Sequence, residues 1–382
     1  MFPPEIIQQF EQTPTPFYHY DLNVLKQTLA ALKEEADRYH YHVHYALKAN
    51  VNRTILEIIR QYGLGADCVS GNEILRARES GFEPTNIAFA GVGKSDTEIN
   101  IGLDNDIFCF NCESLPEIEV INELAAAKGK TAHIALRINP NVNAKTHHYI
   151  TTGLEENKFG INMWELETVV DALKNFSNIK LIGLHFHIGS QITDLNVFKG
   201  LCIRVNEIQN WFVQRHITIE HINVGGGLGV NYDHPDENLI SDFKSYFGLF
   251  NEFLELLPHQ QLHFELGRAV VAQCGNLITK VLYVKKGVNT SFAIVDAGMT
   301  ELLRPALYQA VHKIENLSSS APEQKYDVVG PVCESSDCFG KAMTLPETKR
   351  GDIMAIRTAG AYGEVMANGY NLRELNGEVF TE

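Results

Sequence analysis

Residues 41–81 read YHVHYALKANVNRTILEIIRQYGLGADCVSGNEILRARESG and carry two strand-like and two helix-like segments in alternation. Tyr41–Leu47 has the composition of a strand. Thr54–Tyr62 places Ile55, Ile58, Ile59 and Tyr62 on one helical face, with Gly63 as its stop. Leu64–Val69 is strand-like again, and a helix from about Asn72 to Ser80 ends at Gly81. Strand, helix, strand, helix in so short a span predicts parallel strands joined by crossover helices.

The pattern continues outward. Ile87–Ala90, Asp106–Phe110, Ala132–Ile138, Lys180–Phe186, Ile219–Val224 and Leu262–Phe264 are the further strands. Helical periodicity fills Leu115–Ala127, Trp164–Asn175, Asn196–Gln214 and Leu239–Leu257. Eight strands within residues 23–265 match the size of a closed (β/α)8 barrel. Beyond it, Asn276–Val284, Ser291–Asp296, Lys325–Val329 and Ile353–Thr358 are rich in Val, Ile and Tyr, with Ala306–Glu315 as one short helical stretch. The expected fold is therefore α/β: a (β/α)8 TIM barrel over 23–265 and a mostly β domain over 266–382. Thr15–Asp21 is strand-like, so residues 1–22 are expected to join that second domain. There is no fixed-period repeat and no long linker.

Composition narrows the function. Asp and Glu outnumber Lys and Arg by 47 to 32, a net charge of -15 that repels phosphate backbones and anionic lipids. No basic cluster breaks this pattern, so neither nucleic acid nor a membrane is an expected partner. Met1–Tyr20 lacks a basic stretch followed by an apolar core, and no apolar run nears the ~20 residues of a membrane span. The seven cysteines are an odd count over a long chain, as suits reduced thiols in a cytoplasmic protein. Cys109 and Cys112 form the one CxxC pair. Without a second pair they read as small buried hydrophobes, and no metal is expected.

Barrel chemistry sits at the C-terminal ends of the strands. There the chain carries Lys48, Asp67, Ser70-Gly71, Glu113-Ser114 and Arg137-Ile138-Asn139-Pro140. The later strands run into His185-Phe186-His187-Ile188-Gly189-Ser190-Gln191, Gly225-Gly226-Gly227 and Glu265-Leu266-Gly267-Arg268. Any one of these has an ordinary structural reading: a surface lysine, a turn, a strand exit. Their concentration on one rim does not. Three glycines without Cβ atoms let backbone N–H groups close around an anion, with Ser190 adding a hydroxyl. A phosphate site beside a lone lysine points to pyridoxal phosphate, because a desolvated lysine forms Schiff bases. Glu265 would then keep the pyridine nitrogen protonated. The competing reading is a barrel metallohydrolase, with zinc on His185, His187, Asp67, Glu265 and a carboxylated Lys48. It leaves the glycines unexplained.

Five motifs together resemble the diaminopimelate decarboxylase family, pyridoxal-phosphate enzymes of the alanine-racemase-like fold. They are Tyr45-Ala46-Leu47-Lys48-Ala49-Asn50, His187-Ile188-Gly189-Ser190-Gln191, Gly225–Gly227, Glu265-Leu266-Gly267-Arg268 and Gly330-Pro331-Val332-Cys333-Glu334-Ser335. Asp296–Met299, Arg304–Tyr308 and Gly360–Gly363 extend the likeness over almost the whole chain, from Pro14 to about Arg373.

The resemblance implies roles. Lys48 resembles the Schiff-base lysine, and His187 the ring stacked on the cofactor. Ser190, Gly225, Gly226, Gly227 and Tyr362 resemble phosphate contacts, and Glu265 the partner of the pyridine nitrogen. Arg268, Arg304 and Tyr308 resemble the residues that hold the carboxylate of the distal, L-configured end of the substrate, with Tyr362 also on the substrate side. Cys333 resembles the proton donor and Glu334 the acceptor for the distal ammonium. In the family these two reach the cofactor of the other subunit, so a homodimer with shared sites is expected. The implied reaction is decarboxylation of meso-2,6-diaminopimelate at its D-centre to L-lysine. Two positions depart from the family pattern: Leu266 replaces a proline, and Asn368-Gly369-Tyr370-Asn371 stands for a shorter Asn-Tyr-Asn, so no role passes to Tyr370. Asp67 and Arg137 are a candidate supporting pair. Related decarboxylases of carboxynorspermidine, ornithine or arginine would share the barrel motifs. A racemase of this fold would set an arginine where Glu265 stands, and a non-catalytic cofactor-binding protein would lack the C-terminal domain.

Overall fold

The computed structural model describes residues 2–142, 158–375 and 377–382. The chain divides into two compact units. One comprises Met1–Thr28, Val230–Ser241 and Arg268–Glu382, the other Leu29–Gly229 and Asp242–Gly267. The segment Val230–Ser241, inside the stretch expected to be barrel, groups with the C-terminal residues.

The first strand, β1 (Phe17–Asp21), belongs to the unit that also holds the chain's C-terminus. The next eight strands close into a parallel barrel: β2 (His42–Ala46), β3 (Gly65–Cys68), β4 (Ile87–Phe89), β5 (Cys109–Cys112), β6 (Ala132–Arg137), β7 (Ile179–His185), β8 (His221–Asn223) and β9 (Gln261–Leu266). β9 returns to β2 with Glu265 opposite His44. The eight expected strands are all present. β5 begins three residues late, because Asp106 takes a left-handed turn (φ 49°) after the helix Asp96–Asp104. That helix escaped the periodicity reading, although Ser95 and Glu98 form a capping box at its start.

The helix expected over Leu239–Leu257 is Phe243–Phe253, opened by the Asp242 side chain accepting from the Ser245 N–H at 2.9 Å. Its Phe243, Tyr246, Phe247 and Phe250 share a face and are fully buried. Tyr246 packs edge-on to Phe198 of the neighbouring helix Asn196–Val213 and to Phe264 of β9. Each such burial is worth roughly 1.5–3 kcal/mol, so this cluster clamps helix to barrel.

The N-terminal end of the barrel holds a line of imidazoles. His44 Nδ1 donates to the Asn86 carbonyl (3.1 Å), His263 Nδ1 donates to His44 Nε2 (3.0 Å), and His221 Nδ1 donates to His263 Nε2 (2.9 Å). A carbonyl only accepts, so the first bond fixes the direction of the rest and each ring is neutral with its proton on Nδ1.

The unit that holds β1 is built on an eight-stranded sheet. Its members after β1 are β10 (Gly275–Lys286), β11 (Ser291–Val295), β12 (Ile314–Asn316), β13 (Glu323–Val329), β14 (Cys338–Pro346), β15 (Ile353–Ile356) and β16 (Glu378–Thr381). The order is β12-β15-β10-β11-β13-β14, with β1 paired to β10 and β16. The N-terminal strand thus joins the β domain as expected, with Phe17 opposite Ile278. The helix expected over Ala306–Glu315 is instead Arg304–Tyr308. It stops at Gln309, which turns left-handed (φ 55°), and Ile314–Asn316 becomes a strand.

Candidate functional site

Lys48 sits in the single turn Leu47–Ala49 that follows β2, and its side chain is 39% exposed. Its Nζ lies 3.7 Å from Asp67 Oδ2 at the end of β3. Asp67 is buried, and neither of its carboxylate oxygens has a hydrogen-bond partner. Burial and the nearby Glu265 charge raise its pKa well above the usual carboxylate range, against the pull of Lys48.

Glu265 is the penultimate residue of β9 and is held by three other strands. His185 Nε2 meets its Oε2 at 3.0 Å, while the side-chain amides of Asn223 and Asn111 donate to Oε1 at 2.8 and 3.2 Å. Burial opposes ionisation, but the charge and hydrogen bond of His185, with the Lys48 charge beyond, hold the carboxyl well below its ordinary pKa. Glu265 is a buried, ionised and fully oriented acceptor.

The glycine triplet turns directly beside it. The Gly225 N–H donates to Asn223 Oδ1, and the Glu265 N–H to the Gly225 carbonyl, both at 2.9 Å. A Cβ on Gly226 would stand 1.9 Å from the Glu265 carbonyl oxygen, so no other residue fits there. Gly225 (φ 68°) and Gly227 (φ 106°) occupy backbone conformations that favour glycine. The Gly226 N–H donates to His187 Nδ1 at 3.4 Å, which leaves the ring proton on Nε2. Burial, then the Lys48 and Arg137 charges, push the His187 pKa well down, so the ring is a neutral plate. Ser190 lies between Gly189 and Gln191 on the loop that returns alongside the triplet, where the Ile192 N–H donates to the Gly227 carbonyl at 2.8 Å.

Lys48, His187, His185, Glu265 and Arg137 line one cavity of about 420 Å³. This is ample for a small cofactor. The expected Asp67–Arg137 pair does not form. Arg137 Nη1 instead bonds Glu113 Oε1 at 2.8 Å, and Glu113 also accepts from the Gly91 and Gly160 N–H groups. Glu113 thereby ties three rim loops together.

The remaining site residues lie in the β-domain unit. Arg268, buried at the start of the short helix Arg268–Val271, donates to the Tyr232 hydroxyl, and its guanidinium stands 4.8 Å from the Tyr362 ring centre. Arg304 is also buried; it donates to His312 Nε2 at 2.9 Å and lies 4.6 Å over the Tyr232 ring. His312 Nδ1 donates to the Arg357 carbonyl, and burial followed by the Arg304 charge pushes its pKa down to about 3. A neutral imidazole and a phenol ring leave the Arg304 charge uncompensated, and no carboxylate pairs with it among the described residues. Tyr308 follows Arg304 by one helical turn and is half-buried. Cys333 and Glu334 stand exposed on the loop between β13 and β14.

Residues 22–272 match the family model described as "Pyridoxal-dependent decarboxylase, pyridoxal binding domain". Diaminopimelate decarboxylase of Bacteroides thetaiotaomicron is 60% identical over 370 residues, covering 97% of this chain and 96% of its own length. The chain belongs to the diaminopimelate decarboxylase family. The Helicobacter pylori decarboxylase is 43% identical over 366 residues, covering 95% of this chain and 89% of its own. A crystal structure of the H. pylori enzyme complexed with L-lysine superposes with a TM-score of 0.92 at 41% identity, covering 99% of this chain and 94% of that one.

The family uses pyridoxal phosphate, and the barrel residues fit it. The triplet is a backbone cradle that a single Cβ would fill, and Glu265 offers a buried charge for a protonated ring nitrogen. Asp67 presents orphaned oxygens beside the lysine. The zinc reading fails on the family and on geometry: His185 is committed to Glu265, and no cluster of three metal-ligating side chains occurs among the described residues. Sequence reasoning missed Asn111, Asn223, Tyr232 and His312. The two asparagines had a signal, since each sits within a barrel strand otherwise made of apolar residues, histidine or cysteine.

Proposed function

We propose that this chain decarboxylates meso-2,6-diaminopimelate at its D-centre to L-lysine and carbon dioxide, the last step of lysine biosynthesis, as a cytoplasmic homodimer with shared active sites. The observation that carries the reading is Glu265, kept ionised at full burial and lining the same cavity as Lys48. Bound pyridoxal phosphate supplies a protonated ring that takes up the electron pair left by carbon dioxide.

The chain's own residues do the rest. Lys48 is the covalent attachment point. Glu265 keeps the ring nitrogen protonated, and His185, Asn111 and Asn223 keep Glu265 charged and aimed. The neutral His187 ring is a stacking platform. Gly225–Gly227 and Ser190, with Tyr362, bind the phosphate. Arg268, Arg304 and Tyr308 take the carboxylate of the L-configured end, and Glu334 its ammonium. Cys333 returns a proton from Sγ to Cα. A site that pairs both charges of the distal end rejects substrates lacking either, since a buried charge would be left unpaired.

The dimer reading is supported by the exposure of Cys333 and Glu334 in a single chain, and by the exposed apolar side chains Leu307, Val311 and Leu372 in the same unit. No helix among the described residues is long and apolar enough to cross a membrane. Carbon dioxide release by the purified holoenzyme from a panel of diamino acids tests the assignment. Turnover of meso-diaminopimelate far above that of ornithine, arginine and carboxynorspermidine is expected; preference for any of those three contradicts it.

A further inference from the structure

We propose that the turn Tyr370–Leu372 is the positioning element for the Cys333–Glu334 loop, with Tyr370 aiming the Glu334 carboxylate at the distal ammonium of the substrate; this rests on the role given to Glu334 above. The Tyr370 hydroxyl donates to Glu334 Oε1 at 2.6 Å. The next residue, Asn371, accepts from the Cys333 N–H through Oδ1 at 3.3 Å. Two consecutive residues of one segment thus fasten two consecutive residues of the other.

Both segments are built on the same base, residues 296–301. The Asn368 N–H donates to the Thr300 carbonyl at 2.9 Å, and Arg373 Nη2 donates to the Asp296 carbonyl. On the other side the Met299 N–H donates to Asp337 Oδ1, and Asp337 Oδ2 accepts from the Val332 N–H, each at 2.7 Å. The loop is therefore pinned at Val332 and Asp337, and the clasp fixes the residues between.

The turn's backbone is costly. Asn371 (φ 56°) and Leu372 (φ 54°) both lie in the left-handed region, which leucine rarely enters. Leu372 is 96% exposed and Tyr370 47%, so burial within this chain does not account for the conformation. Strained turns of this kind persist where a site uses them.

The chemistry suits the task. A phenol bonded to a carboxylate is a strong, directional donor that leaves the second oxygen for a cation. Its bond to Glu334, with the Glu334 charge, raises the Tyr370 pKa, so the phenol keeps its proton and remains a donor.

The test is a double-mutant cycle on the holoenzyme with meso-diaminopimelate, measuring KM and kcat for Y370F, E334Q and the double variant. E334Q is expected to raise KM about tenfold or more. Y370F should raise KM about three- to tenfold with kcat within about twofold, and the double variant should be no worse than E334Q alone. A general structural defect would lower kcat and add to E334Q. Full additivity, or a Y370F KM equal to wild type, overturns the proposal while leaving Glu334 in its role. An unchanged KM in E334Q removes the role of Glu334 itself and the proposal with it.

Discussion

His185 Nε2 and Glu265 Oε2 meet at 3.0 Å inside the barrel, both side chains almost fully buried. The contact sets the electrostatics of the site. It makes an ionised carboxylate affordable where burial alone would neutralise it, and it joins two barrel strands, β7 and β9, across the intervening β8. The charge of Glu265 is thus a property of the barrel.

Removing that charge should slow chemistry. Glu265→Gln keeps shape and much of the hydrogen bonding but cannot hold a ring nitrogen protonated. We expect kcat to fall about 100-fold or more, in the range typical of a lost electrostatic stabiliser, with KM little changed. Steady-state kinetics on cofactor-saturated protein check this, and a near-normal kcat would remove the electron-sink role.

The imidazole line predicts acid sensitivity. Burial lowers the His44 pKa to about 4 and holds that of His263 well below the ordinary histidine value. An unfolded chain takes up these protons near the ordinary histidine value of about 6.5, so it binds more protons than the folded barrel in the window below. Stability is full above about pH 6.5 and falls as pH drops from there towards 4, by about 1.4 kcal/mol per histidine per pH unit. Urea midpoints measured from pH 7 to pH 5 should decline; a flat profile would show that the line titrates normally.

Much of this architecture is legible in the sequence because parallel barrel strands are buried on both faces and punctuated by glycine stops, as at Gly63 and Gly81. Lys48, Glu265 and Gly225–Gly227 stand out because charge and glycine interrupt those strands at one end. What escaped is what depends on distant partners. The Arg268–Tyr232 and Glu334–Tyr370 bonds each span 36 residues. No local pattern announces them. The helix Leu22–Arg38 escaped differently: Asp21 Oδ1 accepts from the Asn23 and Val24 N–H groups, so one aspartate both ends β1 and caps the helix.

Sharing of the active site has its own test. Inactive Lys48→Ala and Cys333→Ala proteins are mixed under conditions where subunits exchange. A heterodimer then has one site with both residues intact. With half of the dimers mixed, about a quarter of wild-type activity should return, by the statistics of a two-fold assembly. Demonstrated exchange without recovery would place the whole site within one chain.

One end of a charged, two-centred substrate is read while the other reacts. Turnover of meso-diaminopimelate against its LL-stereoisomer, following carbon dioxide and lysine together, separates the two ends. The meso compound should give carbon dioxide and L-lysine in equal amounts, and the LL compound, which has no D-centre, neither. Comparable release from both would show that the configuration of the reacting centre is not read.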